Sequence, residues 1–338
     1  MKKSRLLVTL LLFSGSSFAQ NISPKVMQHM KDSIILSQLR AAALKYPILR
    51  QGSVSTEVIS RTKISSQLYG EDLYEGEAQI TRVRANFNLP IYRKGKHLFS
   101  TTLNYLGQQF DLNNANSLNP RFPAVQNTEV YKTTLNLIAS YSRSDSIFHR
   151  PVNFSASVSV LTDGEFSNAR LNYLGVINFP LRRTATTAYS VGLIVNIDPS
   201  SPVPVFPIFN YWHQFKRPEI ELFIDLPSRI ALRKPLRGKT AVLLGSELGG
   251  SLSFLNMNNS YLPKRTIYTT LEIKSGATFE YSFSKYLMLG VNGGILSTVS
   301  SRHLEKSAKM NDYFIKNSIH SAPYVNVSLS LLPAFLHL

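Results

Sequence analysis

The chain has 338 residues, with 37 Lys and Arg against 20 Asp and Glu for a net charge of +17, and it contains no cysteine. That excludes a disulfide scaffold, a cysteine-ligated zinc module and thiol chemistry, and 43% apolar residues exclude disorder. Charged residues make up only 17%, below the roughly 25% of soluble domains, and no apolar run near the start approaches the roughly 18 residues of a membrane helix.

In chain order, Lys2, Lys3 and Arg5, the apolar run Leu6 to Phe13, and Ser17-Phe18-Ala19 have the form of a secretory signal. Residues 1–19 are therefore expected to be cleaved on export, and no cysteine at the cleavage point offers a lipid anchor. Residues 20–50 form a distinct N-terminal segment. Ser23-Pro24 opens a helix; Val26, Met30, Ile34 and Ala42 recur near helical spacing, Leu39 and Ala43 widen the stripe, and Tyr46-Pro47 ends it. Such a helix either plugs a lumen, docks on a partner, or lies on its own domain.

Across 51–338 the dominant period is two. Val83, Ala85, Phe87 and Leu89 alternate with Arg82, Arg84, Asn86 and Asn88; Ile273, Ala277, Phe279 and Tyr281 alternate with Glu272, Lys274, Thr278 and Glu280; Val325, Val327 and Leu329 alternate with Asn326, Ser328 and Ser330. Neighbouring side chains in a strand face opposite ways, so each segment has one apolar and one polar face. The segments run about 12 to 17 residues, longer than the five or six of an ordinary strand and sufficient for the 9–11 needed to cross a membrane in a barrel. Short turns at Arg93–Lys96, Asp145–Arg150, Arg182–Thr184, Leu236–Lys239 and Ser284-Lys285 alternate with longer links. The expected fold is an all-β, transmembrane, antiparallel up-and-down barrel of about twelve strands, with both ends on the short-turn, periplasmic side. Fourteen is the alternative if Phe206 to Phe215 forms a strand and Pro227 divides 219–234. Tyr105, Tyr131, Tyr173 and Phe254 are expected to face lipid near the long-loop rim, as an interfacial aromatic girdle.

Tyr46-Pro47-Ile48-Leu49-Arg50, Asn88-Leu89-Pro90-Ile91 before a short basic turn, Pro207 to Trp212, and Glu221 to Pro227 followed by Arg229-Ile230-Ala231-Leu232 carry a resemblance. After Leu44 the chain resembles the outer-membrane β-barrel proteins of Bacteroidota-type bacteria grouped as a domain of unknown function. The resemblance implies a barrel and a location, the outer membrane of a Gram-negative bacterium. It implies no activity and transfers no residue roles.

By this register the lumen is lined by Arg61, Lys63, Arg82, Arg84, Lys132, Arg170, Arg229, Arg233 and Lys274, opposed by Glu57, Glu219, Glu221, Asp225, Glu247, Glu272 and Glu280. This set makes either a pore with a slight preference for anions or a filled network of ion pairs. A second set, Arg93, Lys94, Lys96, Arg182, Arg183, Lys234, Arg237, Lys239 and Lys285, forms a basic rim at the short turns. It suits anionic lipid headgroups or an acidic periplasmic partner; a secreted chain with no nucleic-acid module is not expected to bind nucleic acid.

No Gly-x-Ser-x-Gly, His-Glu-x-x-His or phosphate-binding loop is present, so no cofactor, metal or catalytic residue is expected. His303 with Ser301, read as lying in the last long loop, is the one pair that suggests a membrane-embedded hydrolase. The leading expectation is a channel or carrier for small solutes in contact with outer-membrane lipid. The alternative is an interaction barrel with a filled lumen.

Overall fold

The computed structural model describes residues 24–121, 125–198, 204–217, 219–257, 262–309 and 311–336. The expected signal, residues 1–19, lies outside them. Helix α1 spans Pro24–Ala43, and a single 3₁₀ turn follows at Pro47–Leu49.

The remainder is one antiparallel sheet closed on itself. Its first wall comprises β1 (Gly52–Leu68), β2 (Glu71–Lys94), β3 (His97–Ser117) and β4 (Thr128–Ile147). Next come β5 (Arg150–Asp163), β6 (Ala169–Arg183), β7 (Thr187–Ile197) and β8 (Val205–Gln214). A short hairpin, β9 (Glu221–Leu226) and β10 (Arg229–Pro235), leads to β11 (Thr240–Asn256), β12 (Arg265–Ser282) and β13 (Leu287–Glu305). The last crossing is made by β14 (Tyr313–Ile319) and β15 (Ala322–Leu331) in succession. Each crossing pairs with the next, β13 pairing with both β14 and β15. The ring shuts where β1 pairs with β15 from Gly52↔Leu331 to Ile59↔Tyr324, and with β14 from Ile64↔Ile319 to Leu68↔Ile315. Counting β14 and β15 as one crossing, the ring has fourteen strands.

Fourteen replaces the preferred twelve for a local reason. Val205–Gln214 is a strand inside what reads as one long link, and Pro227 with Ser228 turns the chain between β9 and β10. β9 and β10 have only 6 and 7 residues. At about 3.3 Å per residue they are too short to cross the membrane. The β8–β9 ladder stops at Phe209↔Leu226 and the β10–β11 ladder at Arg229↔Glu247. Beyond those points Val205 to Ile208 of β8 and Gly249 to Asn256 of β11 have no ladder partner on that side among the described residues, so the wall has a notch.

The freed half of β11 turns inward. Thr134 on β4 donates its hydroxyl to the Leu252 carbonyl at 2.9 Å, and the Gln108 amide on β3 donates to Ser253 Oγ at 2.8 Å. β4 and β11 are seven ladder steps apart in the ring. A circular section at about 4.8 Å per strand would hold opposite walls about 20 Å or more apart, so the barrel is flattened and its interior divided. The inward turn also corrects the expected girdle: Phe254 is 4% exposed and packs with Ile267 and Leu304 against Leu161 of β5. Tyr131 remains exposed, with its hydroxyl 2.7 Å from that of Tyr105.

Candidate functional site

The interior has a charged half between β1–β3 and β11–β13, an uncharged half inside β5–β8, and a neck formed by the N-terminal segment.

The charged half centres on Arg82 of β2, whose side chain is fully buried. Its guanidinium grips Glu272 of β12 with two bonds of 2.6 and 2.7 Å, reaches Glu57 of β1 at 3.2 Å, and donates through Nε to Gln108 Oε1 at 2.8 Å. Glu57 also pairs with Arg84 at 3.2 Å and with Lys274. The Lys274 ammonium lies over the ring of Tyr324, whose hydroxyl donates to Asn292. The period of two directs these groups to one face, and ring closure brings together side chains from strands three and four ladder steps apart. Each charge has a partner, which is the condition for tolerating charge in a dry interior.

The uncharged half is different. Ladder pairings place Asn172 and Asn178 of β6, Asn196 of β7 and Trp212 of β8 on the same face as inward-pointing Arg170 and Phe223. Asn196 and Asn172 lie toward the long-loop end and Asn178 lower, with Trp212 near the short-turn end. Asn172 Oδ1, Asn178 Oδ1, Asn196 Oδ1 and Trp212 Nε1 have no hydrogen-bond partner in the protein. Interior polar atoms left unpaired by protein belong with water or a bound polar molecule.

The neck closes this half from below. Lys45 pairs with Glu221 of β9 and lies 4.5 Å from the Trp212 ring centroid; Glu221 also pairs with Arg233 of β10 at 2.8 Å. The Tyr46 ring meets Phe223 edge-on at 5.4 Å, beneath the Arg229 guanidinium. Burial, reinforced by the Asp225 carboxylate, pushes the Tyr46 phenol up to about 12. Arg50 pairs with Glu280 of β12 at 2.5 Å, and the Gln51 side chain accepts from the Ala334 amide. At the opposite end Arg170 pairs with Asp198 and donates to the Lys306 carbonyl, tying β6 to two outer links.

The expected lumen residues distribute unevenly over this frame. Glu57, Arg82, Arg84, Glu272 and Lys274 form the central cluster, and Glu221, Asp225, Arg229, Arg233 and Glu280 hold the neck. Arg170 lies at the outer cap. Lys132 lies on the inward face of β4, and Glu247 sits opposite Arg229 in the ladder but is exposed. Three positions differ from expectation. A bulge between Ile59 and Thr62 switches the faces of β1, so Arg61 and Lys63 are exposed on its outer side. Glu219 sits exposed in the β8–β9 turn with φ 61°. The rim set, Arg93, Lys94, Lys96, Arg182, Arg183, Lys234, Arg237, Lys239 and Lys285, is exposed at the short-turn end.

His303 and Ser301 lie within β13 rather than in a loop. Ser301 donates to the Tyr268 hydroxyl at 3.0 Å and accepts from Asn317 at 3.1 Å. The His303 ring lies 4.8 Å from that of Tyr268 and its Nδ1 has no partner.

No family model and no curated protein matches the chain. Among solved structures it is similar to an outer membrane channel from Pseudomonas putida F1, at 9% identity and TM-score 0.34, covering 84% of this chain and 96% of that one. It is also similar to the Pseudomonas putida toluene transporter TodX (9%, TM-score 0.33, 84% and 89% covered) and to the translocator domain of the autotransporter NalP from Neisseria meningitidis (9%, 0.26, 91% and 96%).

Sequence reasoning missed the neck residues Lys45, Tyr46 and Arg50, and the amides. The amides carried a readable signal, since Asn172 and Asn178 occupy polar positions of an alternating strand. Nothing local marks Lys45 or Arg50 as partners of Glu221 and Glu280, which lie 176 and 230 residues away.

Proposed function

We propose that the protein is an outer-membrane channel or carrier for small solutes, held here in a closed state. On this reading it is exported by the signal in residues 1–19 into the outer membrane of a Gram-negative cell, alongside the Bacteroidota-type barrels it resembles, and performs no reaction of its own. The passage is the uncharged half of the lumen, and the segment Lys45 to Gln51 is its periplasmic gate. One observation carries the reading: the unpartnered row Asn196, Asn172, Asn178 and Trp212 runs from the outer end to the neck. In the closed state solvent does not reach these atoms, and opening this half would let water or a polar solute satisfy them. Three amides and an indole N–H, without net charge, suit a neutral polar solute better than an ion.

The test is conductance in planar bilayers. The intact barrel is expected to be nearly silent, and Lys45→Ala with Arg50→Ala, or removal of residues 20–50, is expected to open it. If no form passes ions while all remain folded, the channel reading fails and the protein is an interaction barrel with a filled lumen.

The notch above the β9–β10 hairpin favours a second reading of the route. It places a break in the wall beside the uncharged half, so a solute with an apolar portion would leave sideways into the bilayer. A cysteine pair joining β8 to β11 across the notch would then stop transport without changing conductance along the axis.

A further inference from the structure

The lower end of the uncharged half holds neutral polar side chains in a diagonal line. Ladder pairing sets Asn153 of β5 against Asn178 of β6, and Ser190 of β7 against Asn210 of β8. Trp212 follows two residues after Asn210, on the same face. From Trp212 to Asn153 is three strand spacings across and about four residues along, a diagonal of about 20 Å. The next rung up carries Val176, Ile194 and Phe206. These offer no hydrogen bonds and set the diagonal apart from Asn172 and Asn196 above.

The five side chains face inward, yet Asn153 is exposed and Asn178, Ser190, Asn210 and Trp212 are only half-buried. On the same face of the ring Glu57 and Arg82 are each 1% exposed, so the space before the diagonal is not filled as it is in the charged half. Its hydrogen bonding is incomplete. Asn210 donates to Ser190 Oγ at 3.1 Å and Asn153 Oδ1 accepts from the Ser144 hydroxyl at 2.8 Å, but Asn178 Oδ1 and Trp212 Nε1 have no partner. None of the five carries a charge. The charges beside them, Asp225 opposite Asn210 and Lys45 over the Trp212 ring, are held in ion pairs with Arg229 and Glu221.

We propose that this diagonal is a saccharide subsite, an inference that rests on the channel reading above and names the class of its solute. A primary amide presents a donor and an acceptor side by side, and so spans two adjacent hydroxyls. An indole offers an apolar face to the C–H face of a pyranose and an N–H to its oxygens. Hydroxyls repeating along a sugar chain match polar groups spaced along the diagonal. A nucleoside would use the ring and leave the distant amides bare. A zwitterionic peptide would bring two charges that none of the five side chains can meet. Lys45 lies 4.5 Å from the centre of the ring the sugar needs, so closing the neck and filling the subsite compete.

Trp212 is the single tryptophan of the chain, so its fluorescence reports the subsite directly. The full barrel in detergent is titrated with maltotriose, and with adenosine and glycylglycine as controls. Maltotriose is expected to shift the emission saturably, and to bind more tightly when Lys45→Ala or removal of residues 20–50 uncovers the ring; either form serves if the other misfolds. Asn178 makes no side-chain hydrogen bond among the described residues, so Asn178→Leu leaves no protein group unpaired. It should weaken maltotriose binding about fivefold, the worth of one neutral hydrogen bond. Adenosine and glycylglycine should leave the emission unchanged. Saturable maltotriose binding to a barrel that conducts in no form keeps the subsite and removes the channel. Emission that ignores maltotriose in every folded form, responds to it equally in Asn178→Leu, or answers only to a control overturns the subsite, and leaves the channel standing wherever the opened barrel conducts.

Discussion

Arg82 shows how one side chain can both fill a barrel and hold its shape. Its guanidinium joins β2 to β1, β3 and β12 through Glu57, Gln108 and Glu272. Removing it would leave two buried carboxylates with reduced compensation. Arg82→Met is therefore expected to destabilise the barrel by about 3–5 kcal/mol, read as a lower urea midpoint by tryptophan fluorescence. The double change Arg82→Met with Glu272→Leu should cost less than the single one. Tyr46 makes a second prediction at this scale. A phenol raised from 10.0 to about 12 favours docking below pH 10, and that contribution is lost as pH climbs through 12. Tryptic release of α1 should accelerate over that window, and Tyr46→Phe should flatten the profile. Residue roles were partly legible in sequence. Glu57, Arg82 and Glu272 occupy polar positions of clean alternations, whereas Arg61 and Lys63 follow a bulge that only the pairing reveals.

At the scale of elements, long regular strands were legible and short ones were not. β12 and β13, with 18 and 19 residues, give many repeats of the two-residue period. β9 and β10 give three each, beside a proline that reads as a break. β8 begins after Pro204 and contains Pro207, so its signal resembles a link. The N-terminal helix was visible, but its destination was not, because the contacts that seat the neck are with strands far away in the chain. α1 itself keeps Met30 and Ile34 exposed, and the neck residues carry the seat. Deleting 24–39 alone should therefore leave the neck closed and conductance low, while extending the deletion through Arg50 should raise it.

The whole molecule is lopsided. β2, β3 and β4 have 24, 21 and 20 residues, against 6 and 7 in the β9–β10 hairpin. On the proposed reading as a membrane barrel, the tall wall would stand beyond the bilayer on one side and the low wall would open within it on the other. Hydrogen exchange in nanodiscs should separate them, with slow amides in β1–β3 and fast ones at Val205 to Ile208 and Gly249 to Asn256. Equal protection on both sides would mean that the notch is sealed. This asymmetry was beyond sequence reading because it depends on which neighbour each strand end lacks.

The ring closes where the Gln51 amide donates to the Leu331 carbonyl at 2.8 Å, so the beginning and end of the barrel leave side by side at one rim. Topologically the wall is a loop without a privileged starting point. A circular permutant that splices Leu336 to α1 through a flexible tether, and is cut afresh between β3 and β4, would keep every ladder intact. Its successful assembly would show that insertion into the membrane does not require β1 to arrive first.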